Sequence, residues 1–445
     1  YVMKMINCFI PFLSLPQARQ TVRALGLCDR IKNIYLLATE KIPDEVEGCE
    51  MLMIDSPAST ATFRTIALHA DTAYTLLYTK YTAFEPGQFA FERLLAIAGD
   101  TNAGMLYADR YLLKNGNSQQ APVIDYQKGS LRDDFDFGSL LFFRSSVLKQ
   151  AVRAMDADYR FAGLYDLRLR VSELSELVHV NEYLYSEVET DIRKSGEKLF
   201  DYVDPKNRAV QIEMEAVCTA YLKRVGGYLA PDFEPVTFDA GGFEQEASVI
   251  IPVRNRIRTI EDAIRSVLAQ KTTFRFNLII VDNHSTDGTS EAIEKYTADG
   301  RVVHLVPERS DLGIGGCWNV GVHHPACGKF AVQLDSDDVY SGPDTLQKIV
   351  DAFYEQNCAM VVGTYRMTDF KMNEIPPGII DHREWTLENG RNNALRINGL
   401  GAPRAFYTPV LRRINLPNTS YGEDYALGLR ISRTWRIGRI YDVLY

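Results

Sequence analysis

No stretch of this chain approaches the roughly 20 consecutive apolar residues that a membrane-spanning helix requires, so no transmembrane segment is expected. The opening residues, Tyr1 to Phe12, are too short and too mixed for a secretory signal. A basic excess is also missing: 49 Lys and Arg face 58 Asp and Glu, a net charge of −9. Binders of nucleic-acid backbones present basic faces, so nucleic acid is excluded as the main partner. Paired cysteines are absent as well. The seven (Cys8, Cys28, Cys49, Cys218, Cys317, Cys327, Cys358) are odd in number and never form a C-x-x-C, which argues against a disulfide framework or zinc knuckle. Most are expected as small buried apolar groups. The 46% apolar and 24% charged content excludes disordered and fibrous classes. What is left is a globular chain of 445 residues, too long for a single core and expected in two or three domains. A cytoplasmic location, at most peripheral to a membrane, is the expectation.

From Glu246 onward short apolar runs alternate with helical periodicity: "ASVIIPV", "TIEDAIRSVLAQ", "FNLIIVD", then "TDGTSEAIEKY". This βαβα order is that of an α/β domain. Ile260, Ile264, Val267 and Leu268 give the first helix one apolar face, and Thr259 with Asp262 is expected to form a capping box. Strands apolar throughout are expected to be interior and parallel. The pattern continues through "RVVHLV", a glycine-rich "DLGIGGCWN", "KFAVQLD", "PDTLQKIVDAFYEQ" and "AMVVGTY".

The first half repeats this order. "INCFIPF" lies against "SVIIPV", "NIYLLAT" against "NLIIVDN", "FGSLLFFRSSVLK" against "LGAPRAFYTPVLR", and "YDLRLRVS" against "YALGLRIS". The chain therefore reads as a tandem duplication, residues 1–190 and 246–445, joined by a helical linker over 191–245. In that linker Val210, Met214, Val217, Cys218 and Tyr221 share a helix side, ahead of a Pro- and Gly-punctuated stretch.

The two copies differ in their acids. Where the second has Asp282, Asn255, the "DSDD" of residues 335–338 and Glu423-Asp424, the first has Ala38, Ser14, "TKYT" (79–82) and Gly163-Leu164. Crowded carboxylates at a strand end raise one another's proton affinity unless a cation or donors compensate. A copy that folds without them shows that ending the strand does not require them. In open α/β sheets ligands bind beyond the carboxyl ends of strands, where Asn255, Asp282, Asp335 and Asp337 all fall. A hard divalent cation uses one or two such carboxylates together with substrate phosphates.

"VIIPVRN", "VDNHSTDGT", "LDSDD" and "GED" ahead of a helix, in that order, resemble the family 2 glycosyltransferases of the GT-A fold. The resemblance covers essentially all of 246–445, and the first half looks like a degenerate copy. It implies an α/β fold of two tandem Rossmann-like GT-A domains, each with a mainly parallel sheet. It further implies a metal-dependent inverting transfer of a sugar from a nucleotide-diphosphate donor to a glycan, lipid-linked or small-molecule hydroxyl acceptor. Carried over by motif, Asp335 and Asp337 would hold Mn²⁺ or Mg²⁺. Pro252, Arg254, Asn255, Asp282 and Asp335 would line the nucleotide site, and Asp424, with its neighbour Glu423, would be the base. The sequence departs from the family's pattern at Arg254 and Arg256, although arginine suits phosphates. A nucleotidyltransferase of similar fold and a non-catalytic sugar-nucleotide-binding protein are the alternatives.

Residues 376–406 are rich in Asn, Arg and Gly, with one His and one Trp, and read as too polar for a core element. Here Trp385 is expected to stack on a sugar, Arg404 to bind hydroxyls or phosphate, and His382 to sit near the metal or base.

Overall fold

A computed structural model of the protein describes residues 3–41, 45–114, 116–188, 208–239 and 241–445. The part of the expected linker over 191–207 lies outside them. The chain divides into two compact units between Gly227 and Tyr228.

In the first unit nine strands form one sheet: β1 (Ile6–Pro11), β2 (Ile31–Ala38), β3 (Glu50–Met53), β4 (Tyr74–Tyr78), β5 (Phe84–Pro86), β6 (Met105–Lys114), β7 (Asn117–Ala121), β8 (Leu140–Arg144) and β9 (Leu177–Val188). Their order is β3-β2-β1-β4-β8-β6-β9-β5, with β7 as a hairpin partner of β6. Alternate residues of β1 enter different cores. Ile6, Cys8 and Ile10 join one apolar cluster and Phe9 another, because successive side chains of a strand point to opposite faces and both faces are covered. The helix Arg208–Val225, expected as part of a linker, packs within this unit. Its Glu213 accepts hydrogen bonds from the amides of Arg160, Phe161 and Ala162 at 3.1, 2.7 and 3.1 Å, just ahead of the helix Gly163–Leu174. A carboxylate there meets the positive end of that helix's dipole.

The second unit holds β10 (Ala247–Val253), β11 (Phe276–Asp282), β12 (Val302–Leu305), β13 (Phe330–Gln333), β14 (Met360–Thr368), β15 (Glu374–Ile380), β16 (Arg404–Tyr407) and β17 (Ile437–Val443). The order is β12-β11-β10-β13-β16-β14, with β15 and β17 both on β14. Read against β3-β2-β1-β4-β8-β6-β9, the run β12-β11-β10-β13-β16-β14-β17 agrees in order and in every parallel or antiparallel sense. The sheets are mixed, because β8 and β16 run antiparallel to both of their neighbours. The β1–β4 and β10–β13 registers also correspond. Ile6 faces Tyr74 as Ala247 faces Phe330, and counting along both pairs of strands brings Thr79 to the position of Asp335.

Local expectations fare unevenly. The helix Ile260–Leu268 buries Ile260, Ala263, Ile264 and Val267, but the Thr259 side chain makes no cap bond and Asp262 instead pairs with Arg265 at 3.0 Å, so the capping box is absent. All seven cysteines are free, and five of them are buried. No helix of the described residues is long and apolar enough to cross a membrane.

Candidate functional site

Beyond the carboxyl ends of β10 and β13 lies a cavity of about 300 Å³. It is lined by Pro252, Arg256, Ile314, Trp318, Gln333, Asp335, Ser336, Asp337, Arg404, Phe406, Leu416, Glu423 and Asp424. Of the residues expected from sequence, it gathers Pro252, Asp335, Asp337, Arg404, Glu423 and Asp424.

The acids meet there because three separate chain segments end there. Asp335 and Asp337 follow directly on β13, and Glu423 and Asp424 open the helix Glu423–Ser432. Arg404 is the first residue of β16, whose antiparallel course brings it beside the end of β13. Its Nη1 lies 2.6 Å from Asp424 Oδ2, its Nε donates to Gln333 Oε1 at 2.8 Å, and Gln333 Nε2 donates to Asp335 Oδ1 at 2.9 Å. Arg256 Nε stands 3.7 Å from Asp337 Oδ2. Asp424 Oδ1 accepts the Tyr425 amide at 2.7 Å. Neither acid caps the helix, whose N-cap is Gly422, and Glu423 Oε2 is buried without a hydrogen-bond partner.

The electrostatics fit a cation. Burial first, and then the charges of Asp335 and Asp337, push the Asp338 carboxyl up to about 7. Burial likewise raises Asp335, against the Gln333 hydrogen bond and the Arg404 charge. Burial raises Glu423, with the Asp424 charge adding to it. A divalent cation would relieve these strained carboxylates. Among the described residues no three His, Cys, Asp or Glu side chains gather into a self-sufficient metal cage. An all-oxygen pair, Asp335 and Asp337, suits a hard ion that takes its remaining ligands from water and phosphate.

Other expected residues lie elsewhere. Asp282 is fully buried and satisfied within the chain. It accepts the Ser285 amide at 3.0 Å, the Ser290 hydroxyl, and His304 Nε2 at 3.4 Å. Burial opposes its ionisation, but those hydrogen bonds outweigh it and hold the carboxyl well below the usual range. Asn255, in the left-handed region at φ 55°, ties two strand-end loops together. Its Oδ1 accepts the Thr286 amide at 2.7 Å, and its own amide donates to Ser285 Oγ at 3.0 Å. Arg254 is exposed and does not line the cavity.

Most of the stretch 376–406 is buried rather than forming an open loop. Trp385 is 3% exposed, with the Gly390 backbone against its ring, so no face is free for a sugar. His382 is 2% exposed, donates from Nε2 to the Ala402 carbonyl at 3.1 Å, and is pushed down to about 4 by burial and then by the Arg439 charge. Arg391 donates to the carbonyls of Ala230 (2.9 Å), Asp232 (2.8 Å) and Arg433 (2.5 Å). Asn392 bonds the Leu229 backbone at 2.9 Å in both directions. Burial leaves these side chains hydrogen-bonded, because each polar head reaches a backbone carbonyl.

The glycine-rich segment makes a close contact. It begins the helix Ile314–His323, which packs on residues 417–420. A Cβ on Gly315 would lie 2.0 Å from the Pro417 carbonyl oxygen, and one on Gly313 would lie 2.5 Å from Thr419. Gly313 N donates to Asn418 Oδ1 at 2.8 Å, and Gly315 N to Thr419 O at 2.9 Å. The glycines thus seat the loop that delivers Glu423 and Asp424. Gln333 was missed from sequence. Its signal was a polar side chain closing an apolar strand, opposite Leu77 in the first copy.

Residues 248–413 match the family described as "Glycosyl transferase family 2". A Bacillus subtilis (strain 168) protein, named provisionally as a teichuronic acid biosynthesis glycosyltransferase, is 33% identical over 120 residues, 27% of this chain and 46% of its own length. An uncharacterized glycosyltransferase of Rickettsia felis is 30% identical over 200 residues, 44% of this chain and 32% of the relative. The chain thus spans less than half the length of these curated relatives. Among solved structures, residues 1–349 of Staphylococcus aureus TarS with UDP-GlcNAc align at 24% identity and a TM-score of 0.38, covering 45% of this chain and 57% of that one. A Pyrobaculum calidifontis mannosyltransferase with GDP-Man and Mn²⁺ aligns at 20% and 0.36, covering 53% and 64%. The family match lies wholly within the second unit.

Proposed function

We propose that the protein is a metal-dependent, inverting glycosyltransferase of GT-A type, active in its second unit and acting in glycan or polysaccharide synthesis. The observation that carries this reading is the convergence of Asp335, Asp337, Glu423 and Asp424 on one cavity within the matched domain. The name of the Bacillus subtilis relative supports a glycan product.

Asp335 and Asp337 would hold Mn²⁺ or Mg²⁺ on the donor side of the cavity. When bound, the cation supplies Lewis-acid neutralisation of the charge that develops on the leaving diphosphate. Arg256, at the mouth beside Asp337, adds a guanidinium suited to phosphate oxygens. Pro252 walls the same pocket. On the acceptor side the hydroxyl oxygen bonds to the anomeric carbon from the face opposite the diphosphate. The carbon–oxygen bond to the diphosphate breaks, and its electron pair leaves with the nucleoside diphosphate. The hydroxyl proton passes to the Asp424 carboxylate, the general base. Arg254, Asn255 and Asp282 act through the loops around the nucleotide side, with Asn255 and Asp282 shaping them by hydrogen bonds.

The first unit is a non-catalytic copy. At its equivalent strand end Lys80 takes the place of Ser336 and bonds the buried Glu187 at 2.6 Å, and Arg110 bonds the same carboxylate at 3.0 Å. A built-in ion pair thus stands where the second unit has crowded acids.

A panel of UDP- and GDP-sugars with Mn²⁺ or Mg²⁺, scored for nucleoside diphosphate release and thermal stabilisation, tests the reading. Turnover that disappears on chelation and in Asp337→Ala is expected. An absence of both metal-dependent nucleotide binding and turnover overturns it.

A further inference from the structure

The cross-strand pair at the end of β13 and the start of β16 is polar, Gln333 against Arg404. In the first unit the pair at the same register is Leu77 against Leu141. The two sheets share their topology, so this position folds with two leucines. Burying a glutamine and an arginine there costs desolvation unless every contact is made. Both are nonetheless buried in the second unit, at 6% and 8% exposure.

Their contacts run in one line across the cavity. Asp424 meets Arg404, Arg404 meets Gln333, and Gln333 meets Asp335, at 2.6, 2.8 and 2.9 Å. Arg404 is further anchored by donating from Nη1 to the Leu400 carbonyl at 3.0 Å. One end of this line is the acid expected at the diphosphate, and the other is the acid expected at the acceptor hydroxyl. In the first unit Thr79 and Leu164 replace the end members just as Leu77 and Leu141 replace the middle ones. All four positions are polar in one copy and lack a carboxylate, guanidinium or amide in the other.

We propose that Gln333 and Arg404 are positioning residues, a rigid brace that fixes the Asp424 carboxylate relative to Asp335 so that acceptor and donor meet in line. The inference rests on the glycosyltransferase reading above. Arg404 thus holds the base rather than contacting the sugar, and the guanidinium's planar fork is what lets one side chain bond a carboxylate and an amide at once.

The test is a double-mutant cycle of Gln333→Leu, Arg404→Leu and the double variant, using the donor sugar that the wild type turns over. Mn²⁺-dependent UDP or GDP binding by calorimetry and thermal unfolding are read in parallel. Misplacing one reacting group costs up to about a hundredfold, so Gln333→Leu is expected to lower kcat about tenfold or more. Its KM, its Mn²⁺-nucleotide affinity and its Tm are expected to stay close to the wild type's. If the brace acts as a unit, the double variant loses no more than Arg404→Leu alone. Arg404→Lys, which keeps the charge but not the fork, is expected to fail as Arg404→Leu does. Additive losses, or a kcat loss that only tracks Tm or nucleotide affinity, overturn the inference while leaving the enzyme reading intact. Should Arg404→Leu not fold, Gln333→Leu decides alone, since a leucine occupies that register in the first unit: unchanged kcat overturns the brace. A wild type that neither turns over a nucleotide sugar nor binds Mn²⁺ with UDP or GDP overturns both readings.

Discussion

Asp282 and His304, 22 residues apart in sequence, share a contact of 3.4 Å between Oδ2 and Nε2 and are shifted in opposite directions. The Asp282 hydrogen bond, ahead of opposing burial, raises His304 above its ordinary 6.5, and Glu294 at 3.3 Å adds to this. A raised histidine contributes stability that is complete below pH 6.5 and is lost as pH rises through its higher folded value. A depressed aspartate contributes stability that is present above its ordinary 3.8 and is lost as pH falls through its lower folded value. The pair therefore stabilises most between pH 3.8 and 6.5. His304→Ala is expected to lower stability by about 1–3 kcal/mol at pH 6, with a smaller loss at pH 8.5. Urea unfolding of both proteins at the two pH values measures this, and an equal loss at each would contradict it.

The tight seat of Gly315 makes a second expectation. Its nearest neighbour is backbone, which cannot rotate away. Gly315→Ala is expected to destabilise by about 1–3 kcal/mol, the usual range for overpacking. It should also reduce turnover, because the displaced loop leads into Glu423. Gly26→Ala, where a Cβ meets nothing within 4 Å, is the control and should stay within about 0.5 kcal/mol of the wild type.

The two adjacent acids of the helix Glu423–Ser432 can be told apart by isosteric variants. Asp424→Asn is expected to cost about 10²–10⁴ in kcat, the usual worth of a positioned general base, with nucleotide affinity retained. Glu423→Gln is expected to cost far less. Single-turnover kinetics with the active donor separates them, and the reverse ranking would transfer the base role to Glu423.

Trp385 is a matter of packing. Trp385→Ala is expected to cost about 3–5 kcal/mol of unfolding free energy, as large core truncations do. Trp385→Phe, if it retains the fold, should leave the acceptor KM unchanged. A raised KM at unchanged stability would restore the sugar-stacking role.

Much of this was legible in one dimension because the two halves, alike in strand order, serve as controls for each other. "IIPV", "LIIVD" and "LDSDD" sit at strand ends by periodicity alone, and the register of the two sheets agrees with the sequence pairing of Thr79 with Asp335. What escaped depends on partners distant in sequence. Gln333 gains its meaning from Arg404, 71 residues on, and Arg391 from carbonyls about 160 residues earlier. Polarity made residues 376–406 look exposed, but polarity decides burial only when the available partners are known. The glycines near 315 report close approach in the sequence without saying what approaches.

The interior built by Arg391, Asn392 and Asn393 has a thermal consequence. Exposing apolar surface raises the heat capacity of unfolding, whereas exposing polar surface lowers it. A region closed by guanidinium and amide bonds to carbonyls therefore contributes little curvature to the stability profile. On cooling, when burial of Ile250, Ile279 and Val332 stabilises progressively less, this polar interior keeps its grip and becomes a larger share of what holds the second unit together.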